Sequence, residues 1–146
     1  MKKILVSLIV VFICCTWVQG QSPVINHVAI HVVDLQKSKS FYEKIVGLDT
    51  IANPFRDDKH VWFAIGGGTQ LHIIAGAKTI KVHPLDNHLC FRVPSVDTFA
   101  RKLSGAGINY VNARGKKNEI TIRPDGVKQI YFTDPDGHWV EINDAK

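Results

Sequence analysis

The chain repeats one order of predicted secondary structure, and this repeat constrains the fold more than any other feature. An alternating strand, INHVAIHVV, precedes a segment of helical spacing that ends at Gly47, and short β-like runs follow. The second half opens with DNHLCFRVP, continues with a helical segment capped by Ser95, and again ends in β-like runs. The sequence therefore predicts an α+β fold of two βαβββ modules, at about residues 24–76 and 85–144, with curled mixed sheets. In the second module, INYVNA is predicted as β-like and GKKNEITIRPDG as a loop.

The first twenty residues are typical of a secretory signal. A basic start, MKK, precedes the apolar run ILVSLIVVFICC, and Gly20 is a small residue before a cleavage point. The run is shorter than the roughly 20 apolar residues that cross a bilayer, and an uncleaved anchor is the alternative. We therefore expect residues 1–20 to be removed, leaving a domain of residues 21–146. Such a protein is periplasmic or secreted, without stable membrane association.

Charge and cysteine content exclude two further possibilities. The formal charge is +5, and removal of the two N-terminal lysines would make it smaller still. This balance is too mild to indicate a nucleic-acid partner. Two of the three cysteines lie in the predicted signal, so Cys90 would stand alone and form no internal disulfide. A small buried role is favoured for Cys90 over a nucleophilic one.

Four predicted strands each carry a histidine or a glutamate on their polar face, because alternate side chains of a strand share a face. His27 and His72 lie on the first and last strands of the first module. His88 and Glu141 lie on the corresponding strands of the second module. Glu141 stands between two aliphatic residues, and a buried carboxylate without a partner is costly. We therefore expect a cation beside it.

Three imidazoles and one carboxylate suit a borderline divalent metal ion, which binds histidine nitrogen and carboxylate oxygen. They include the two-histidine, one-carboxylate trio that non-haem iron also uses. We predict that the two sheets enclose a cleft where His27, His72, His88 and Glu141 bind one such ion (Zn, Ni, Co, Mn or Fe, with zinc favoured). His72 is the ligand that a three-residue site could omit, and the sequence leaves open whether the site forms within one chain or across a dimer. For any one of the histidines alone, a packed or surface role is the alternative.

Four segments together resemble the vicinal oxygen chelate superfamily, the glyoxalase, bleomycin-resistance and extradiol-dioxygenase group. They are NHVAIHVVDLQKSKSFYEKIVGL, QLHII, DNHLCFRV and QIYFTDPDGHWVEIND. The resemblance covers nearly all of the chain after residue 20, and it implies paired modules around a metal cleft and a homodimer. The family's metal positions fall on the same four residues. His72 stands where glyoxalase I usually has glutamate or glutamine, and Ala29 where fosfomycin-resistance thiol transferases usually have threonine.

The resemblance implies a metal-dependent lyase or isomerase, similar to lactoylglutathione lyase, that chelates neighbouring oxygens of a small substrate and stabilises an oxyanion. Glu141 is then both ligand and candidate base. His31, on the same face as His27, is a second candidate for proton transfer, and a rim position is its alternative. Arg92 and Trp139 are predicted to contact the substrate. The alternatives are an exposed position at the end of a strand for Arg92 and a packing role for Trp139. A non-haem iron dioxygenase and a small-molecule binding or resistance protein without turnover are the alternative functions.

Overall fold

The computed structural model describes residues 22–146; the predicted signal, residues 1–20, lies outside these described residues. The first module consists of β1 (His27–Val32), α1 (Leu35–Phe41), a π-helical turn (Tyr42–Val46), β2 (Asp49–Ile51), β3 (His60–Ala64) and β4 (Gln70–Ala75). The second consists of β5 (His88–Arg92), α2 (Val96–Gly105), β6 (Thr121–Ile122), β7 (Lys128–Thr133) and β8 (Trp139–Asn143). The predicted α+β fold of two βαβββ modules is confirmed. No helix of residues 22–146 combines the length and the apolar character needed to cross a membrane.

Each module folds into one four-stranded mixed sheet with the same strand order. The orders are β1-β4-β3-β2 and β5-β8-β7-β6. The first strand of each sheet lies parallel to the last strand, and the remaining pairs are antiparallel. Ala29 therefore pairs with His72, and Cys90 pairs with Glu141. This order brings the polar faces of the first and last strands together within each module.

The first helix changes its geometry before it ends, which the sequence pattern did not predict. Asp34 caps α1, accepting a hydrogen bond from the backbone N–H of Lys37. From Tyr42 onward the helix is π-helical, and the N–H groups of Gly47 and Leu48 both donate to the Tyr42 carbonyl. The Tyr42 hydroxyl donates to Asp134 of the second module at 2.9 Å. The wider turn therefore lies where α1 is attached to the other module.

The second module departs from prediction between α2 and β7. The predicted β-like run INYVNA makes only isolated bridges at Val111. The short strand β6 lies instead in the segment predicted to be a loop. Asn112 explains the difference, because its side-chain oxygen accepts hydrogen bonds from the backbone N–H groups of Arg114 and Lys116. These bonds turn the chain immediately after Val111 and end the pairing there.

The aliphatic faces of both sheets and the apolar sides of both helices share one core. Its most deeply buried strand residues are Val32, Phe63, Leu71, Ile73, Ile130, Phe132, Val140 and Ile142. Burying one face of each sheet in this core leaves the opposite face for the histidines and Glu141. Asp136 strengthens the junction of the modules. Its two oxygens accept hydrogen bonds, each of 2.6 Å, from the Val33 N–H and the Ser38 hydroxyl.

Candidate metal centre

His27 and His72 form one half of the predicted metal site, which we call the histidine half-site. Their ring centroids are 6.1 Å apart, and the His72 ring stacks on Trp62 at 3.9 Å. The Nδ1 of His27 lies 2.8 Å from the side-chain oxygen of Asn26. If Nδ1 donates this bond, Nε2 is left as a free acceptor, the form in which histidine binds a metal.

His72 is held neutral and has an unpaired nitrogen. The residue is 5% exposed, and its Nε2 is buried without a hydrogen-bond partner. Desolvation by burial, followed by the charges of His60 and His27, lowers the pKa of His72. A buried polar atom without a partner is destabilising unless something binds it. An imidazole that is neutral and lacks a partner at Nε2 fits a metal ligand.

Aromatic rings surround this half-site, and sequence reasoning missed two of them, Phe55 and His60. The ring of Phe55, 59% exposed, lies 4.7 Å from His60 and 6.0 Å from His72. The Nδ1 of His60 lies 2.7 Å from a carboxylate oxygen of Asp57. The indole N–H of Trp62 is a second buried polar group without a partner. Phe55 lies in the loop before β3, where no strand alternation could have shown which way it faces.

His88 and Glu141 form the other half, which we call the carboxylate half-site. The Nε2 of His88 lies 3.1 Å from a carboxylate oxygen of Glu141. The Nδ1 of His88 lies 2.8 Å from the carbonyl oxygen of Leu85, which can only accept, so Nδ1 carries a proton. In neutral His88, Nε2 would then be a lone pair facing a carboxylate oxygen. Only a cation, either a proton or a metal ion, makes that contact favourable.

Glu141 is held as a carboxylate. Burial would raise its pKa, but hydrogen bonds from Asn143, Tyr131 and Cys90 and the charge of His88 together lower it. The Asn143 amide donates to Glu141 at 3.0 Å. A glutamate that is already ionised has no proton to lose when it binds a metal, and its outer contacts orient it.

The polar neighbours of Glu141 were not predicted as site residues. Gln129, Tyr131 and Asn143 are buried on the same face of β7 and β8. The signal for Gln129 and Tyr131 was the alternation of QIYFT in β7, and that for Asn143 was the alternation of WVEIN in β8. Cys90 is exposed, so the prediction of a small buried residue is wrong. Desolvation of the sulfur and the Glu141 carboxylate raise the pKa of the Cys90 thiol to about 12, which disfavours a nucleophilic role.

The two half-sites do not meet within one chain. Among residues 22–146, no three histidine, cysteine, aspartate or glutamate side chains are placed so that they could hold a metal ion. The described part of one chain therefore does not bring the four residues together, which leaves a site across a dimer as the alternative. The assignment of His27, His72, His88 and Glu141 as ligands stays a prediction.

The cavities beside β1 and β5 reflect this separation. Residues 28–31 of β1 border one cavity together with residues 87–89, where β5 begins. Residues 90–93, where β5 ends, border a different hollow together with Ala64 at the end of β3. His88 therefore borders the first cavity, whereas His27 borders neither of the two.

The remaining predicted site residues lie in different places. His31 and Trp139 border the cavity between the edge strands, together with His88. The Trp139 indole N–H donates to the carbonyl of His83 at 2.9 Å. Arg92 is exposed and borders the hollow at the other end of β5. His31 and Arg92 therefore do not share a cavity, and their catalytic and substrate-binding roles stay predictions.

Two βαβββ modules, each with a pair of candidate ligands on the polar face of its first and last strands, define a class of paired-module proteins. The chain belongs to the Glyoxalase/Bleomycin resistance protein/Dioxygenase superfamily, whose family model matches residues 24–142.

Relatives and solved structures agree with this membership. The chain is 30% identical to Glyoxylase I 4 of Arabidopsis thaliana over 124 residues, covering 81% of this chain and 68% of that protein. It is 29% identical to the metallothiol transferase FosB of Bacillus licheniformis over 125 residues, covering 82% and 73%. The crystal structure of a glyoxalase family protein from Bacillus anthracis has a TM-score of 0.69 at 23% identity, covering 88% of this chain and 99% of that one. This last likeness shows the fold.

Proposed function

We propose that the protein is a metal-dependent lyase or isomerase of the glyoxalase-like type, acting as a homodimer on a small substrate with two neighbouring oxygens. The histidine half-site of one protomer and the carboxylate half-site of its partner would together hold one divalent metal ion, with zinc favoured. Each half-site has two ligands, fewer than the three that catalytic sites usually take from protein. A twofold axis that joins unlike half-sites once must join them twice, giving two equal sites per dimer.

The contact between His88 and Glu141 is the observation that carries this proposal. When His88 is neutral, its Nε2 and the buried carboxylate oxygen 3.1 Å away are two acceptors that form an incomplete cation site. The unpaired Nε2 of His72 supports the histidine half-site in the same way. The lowered pKa values favour neutral His72 and ionised Glu141, and these are the forms that bind borderline divalent ions.

A bound divalent ion would supply Lewis-acid stabilisation of an oxyanion on the chelated substrate. The chain's own residues determine the surroundings of such an ion. Asn143 and Tyr131 orient Glu141, and their hydrogen bonds keep it ionised. Glu141 is the proposed base for the substrate proton. The position of His31, in the cavity between the edge strands, favours its alternative role at the rim.

Elemental analysis of the purified protein tests the metal assignment. We expect about one divalent ion per protomer, with loss of the metal in E141Q and in the double variant H27A/H72A. E43Q is the matched control, because Glu43 is a helical glutamate outside both half-sites. A wild-type protein that binds no divalent ion would refute the proposal.

Mixing two defective variants tests whether the site is shared between protomers. A dimer of one H27A/H72A chain and one E141Q chain would contain one intact site, although neither homodimer would contain any. Random exchange of subunits should therefore restore about a quarter of the wild-type metal content. A site built within one chain would recover nothing. That outcome would contradict the shared site and leave the metal assignment standing.

The reaction type is tested with a substrate panel, with and without chelator and with and without dioxygen. A lyase or isomerase should lose turnover with chelator and keep it without dioxygen. Turnover that requires dioxygen would instead favour the non-haem iron dioxygenase, and tight binding without turnover would favour the binding protein. We also propose export after cleavage behind Gly20, on the strength of the N-terminal sequence.

A further inference from the structure

Three histidines outside the proposed metal ligands converge between the modules. His31 comes from β1, His83 from the linker between β4 and β5, and His138 from the turn before β8. All three border both of two neighbouring cavities, with volumes of about 280 and 190 Å³. We call this region the histidine groove. His27, His72 and Glu141 border neither cavity, so the groove is separate from most of the proposed metal centre.

The rings of His83 and His138 are held in place by the rest of the fold. The Nδ1 of His138 lies 3.1 Å from an oxygen of Asp134. Asp134 is buried, and the Tyr42 hydroxyl also donates to it. The His83 ring stacks on His138, with centroids 4.8 Å apart and planes inclined by 21°. Both imidazoles therefore face the cavities in a prearranged geometry.

The groups left free in the groove are hydrogen-bond donors and a lysine, which suit an anion better than a metal ion. The titratable and charged groups bordering it or directly behind it are His31, Lys81, His83, His88, Asp134, Asp136, His138 and Glu141. Both aspartates are engaged, since Asp134 accepts from His138 and Asp136 accepts from the other module through both oxygens. Lys81 makes no ion pair within residues 22–146. The nitrogens of two stacked rings also do not converge on one point. Among residues 22–146, no set of three or more histidine, cysteine, aspartate or glutamate side chains could hold a metal ion, and this includes those of the groove.

We propose that the histidine groove binds a small oxyanion, a carboxylate or a tetrahedral oxyanion of the phosphate type. His83 and His138 donate N–H bonds from their free ring nitrogens, and Lys81 adds a positive charge to the smaller cavity. Protonation of His138 strengthens the site as pH falls toward 6. The hydrogen bond to Asp134 raises the pKa of His138 and supports this pH dependence.

The test uses sulfate and acetate as probes, because both keep a constant charge between pH 6 and pH 8. The Cε1–H signals of the seven histidines are followed by NMR in the metal-free full-length protein at constant ionic strength. We expect saturable shifts of the His83 and His138 signals, with binding tighter at pH 6 than at pH 8. Saturation by sulfate alone identifies a tetrahedral oxyanion, and saturation by acetate alone identifies a carboxylate; either supports the proposal.

Variants locate the site. H138N should weaken binding at pH 6 by about tenfold, the value of one charge-assisted hydrogen bond. H60N is the matched control, because His60 is likewise held by an aspartate but lies outside the groove. K81Q leaves every histidine in place and should weaken binding at pH 8, so a misfolded H138N would not decide the matter.

Linear shifts without saturation for both probes would overturn the proposal. Equal losses of affinity in H138N and H60N would overturn it as well, and so would stoichiometric Zn²⁺ binding that requires His83 and His138. None of these measurements needs metal at the proposed centre or turnover. The groove and the proposed function can therefore fail independently.

Discussion

Replacement of Gly137 by alanine should disturb the junction between the linker and the turn before β8. Gly137 has φ +85°, a conformation that costs other residues about 1–2 kcal/mol. A Cβ at this position would also lie closer than 3.0 Å to the carbonyl oxygen of Lys81 and 3.4 Å from Ile80. Real Cβ atoms do not approach a backbone oxygen so closely, so the linker would have to move.

The chain offers a matched control for this substitution. Gly126 has the same φ of +85°, but a Cβ there would meet nothing within 4 Å. G126A should therefore cost only the backbone term of about 1–2 kcal/mol. G137A should cost about 1–3 kcal/mol more, the usual penalty of overpacking, because the Lys81 backbone must shift. Displacing the linker also threatens the hydrogen bond from Trp139 to the His83 carbonyl.

Urea denaturation followed by circular dichroism measures the difference in the free energy of unfolding between the two variants. Thermal unfolding should show the same order, at roughly 3–5 °C per kcal/mol for a domain of this size. Equal destabilisation by G137A and G126A would refute the reasoning. The linker carbonyl would then not lie against the turn as the structure shows. G137A should also weaken sulfate or acetate binding in the histidine groove, whereas G126A should leave it unchanged.

Three further outcomes follow from the pKa shifts and the N-terminal sequence. Because the folded pKa of His138 is raised, its stabilising contact with Asp134 is fully present below the unfolded pKa of about 6.5 and is lost as pH rises through the folded value. H138Q should therefore lose more unfolding free energy at pH 5.5 than at pH 8.5, and an equal loss at both would contradict this. With its pKa near 12, Cys90 should react with iodoacetamide at pH 8 at least about a hundredfold more slowly than free cysteine. E141Q should speed that reaction, and an unchanged rate would contradict the role of the carboxylate. N-terminal sequencing of the natural protein should begin near Gln21, and an intact initiator methionine in the cytosol would exclude export.

Strand alternation was sufficient to predict which side chains share a face within each module. It placed His27, His72, His88 and Glu141 on polar faces, and the parallel pairing of the first and last strands in the structure brings them together within each module. The same pattern held the signal for Tyr131 as a neighbour of Glu141. These inferences are local, and they depend only on the period of a strand and on the repeated order of the elements.

The relation between the two modules could not be predicted in this way. Alternation predicts which face of a sheet is polar, but it does not predict whether the polar faces of the two sheets in one chain are opposite each other. That outcome depends on contacts such as those of Asp136 with Val33 and Ser38, which join the modules at the start of β8. The orientation of loop residues could not be predicted for a different reason. Phe55 and His83 lie outside regular elements, where spacing carries no information about direction.

The divided ligand set has a consequence for the assembly as a whole. If each protomer contributes one histidine half-site and one carboxylate half-site, an isolated chain can bind a metal ion with only two ligands at a time. Dimerisation would complete both sites at once, so the metal would bind the dimer far better than the separate chains. Any ligand that binds one state preferentially stabilises that state, and the two equilibria must therefore be linked. His88 and Glu141 illustrate the physical cause: when His88 is neutral, their opposed acceptors need a cation, and in the proposed dimer the partner's histidine half-site would supply the remaining protein ligands.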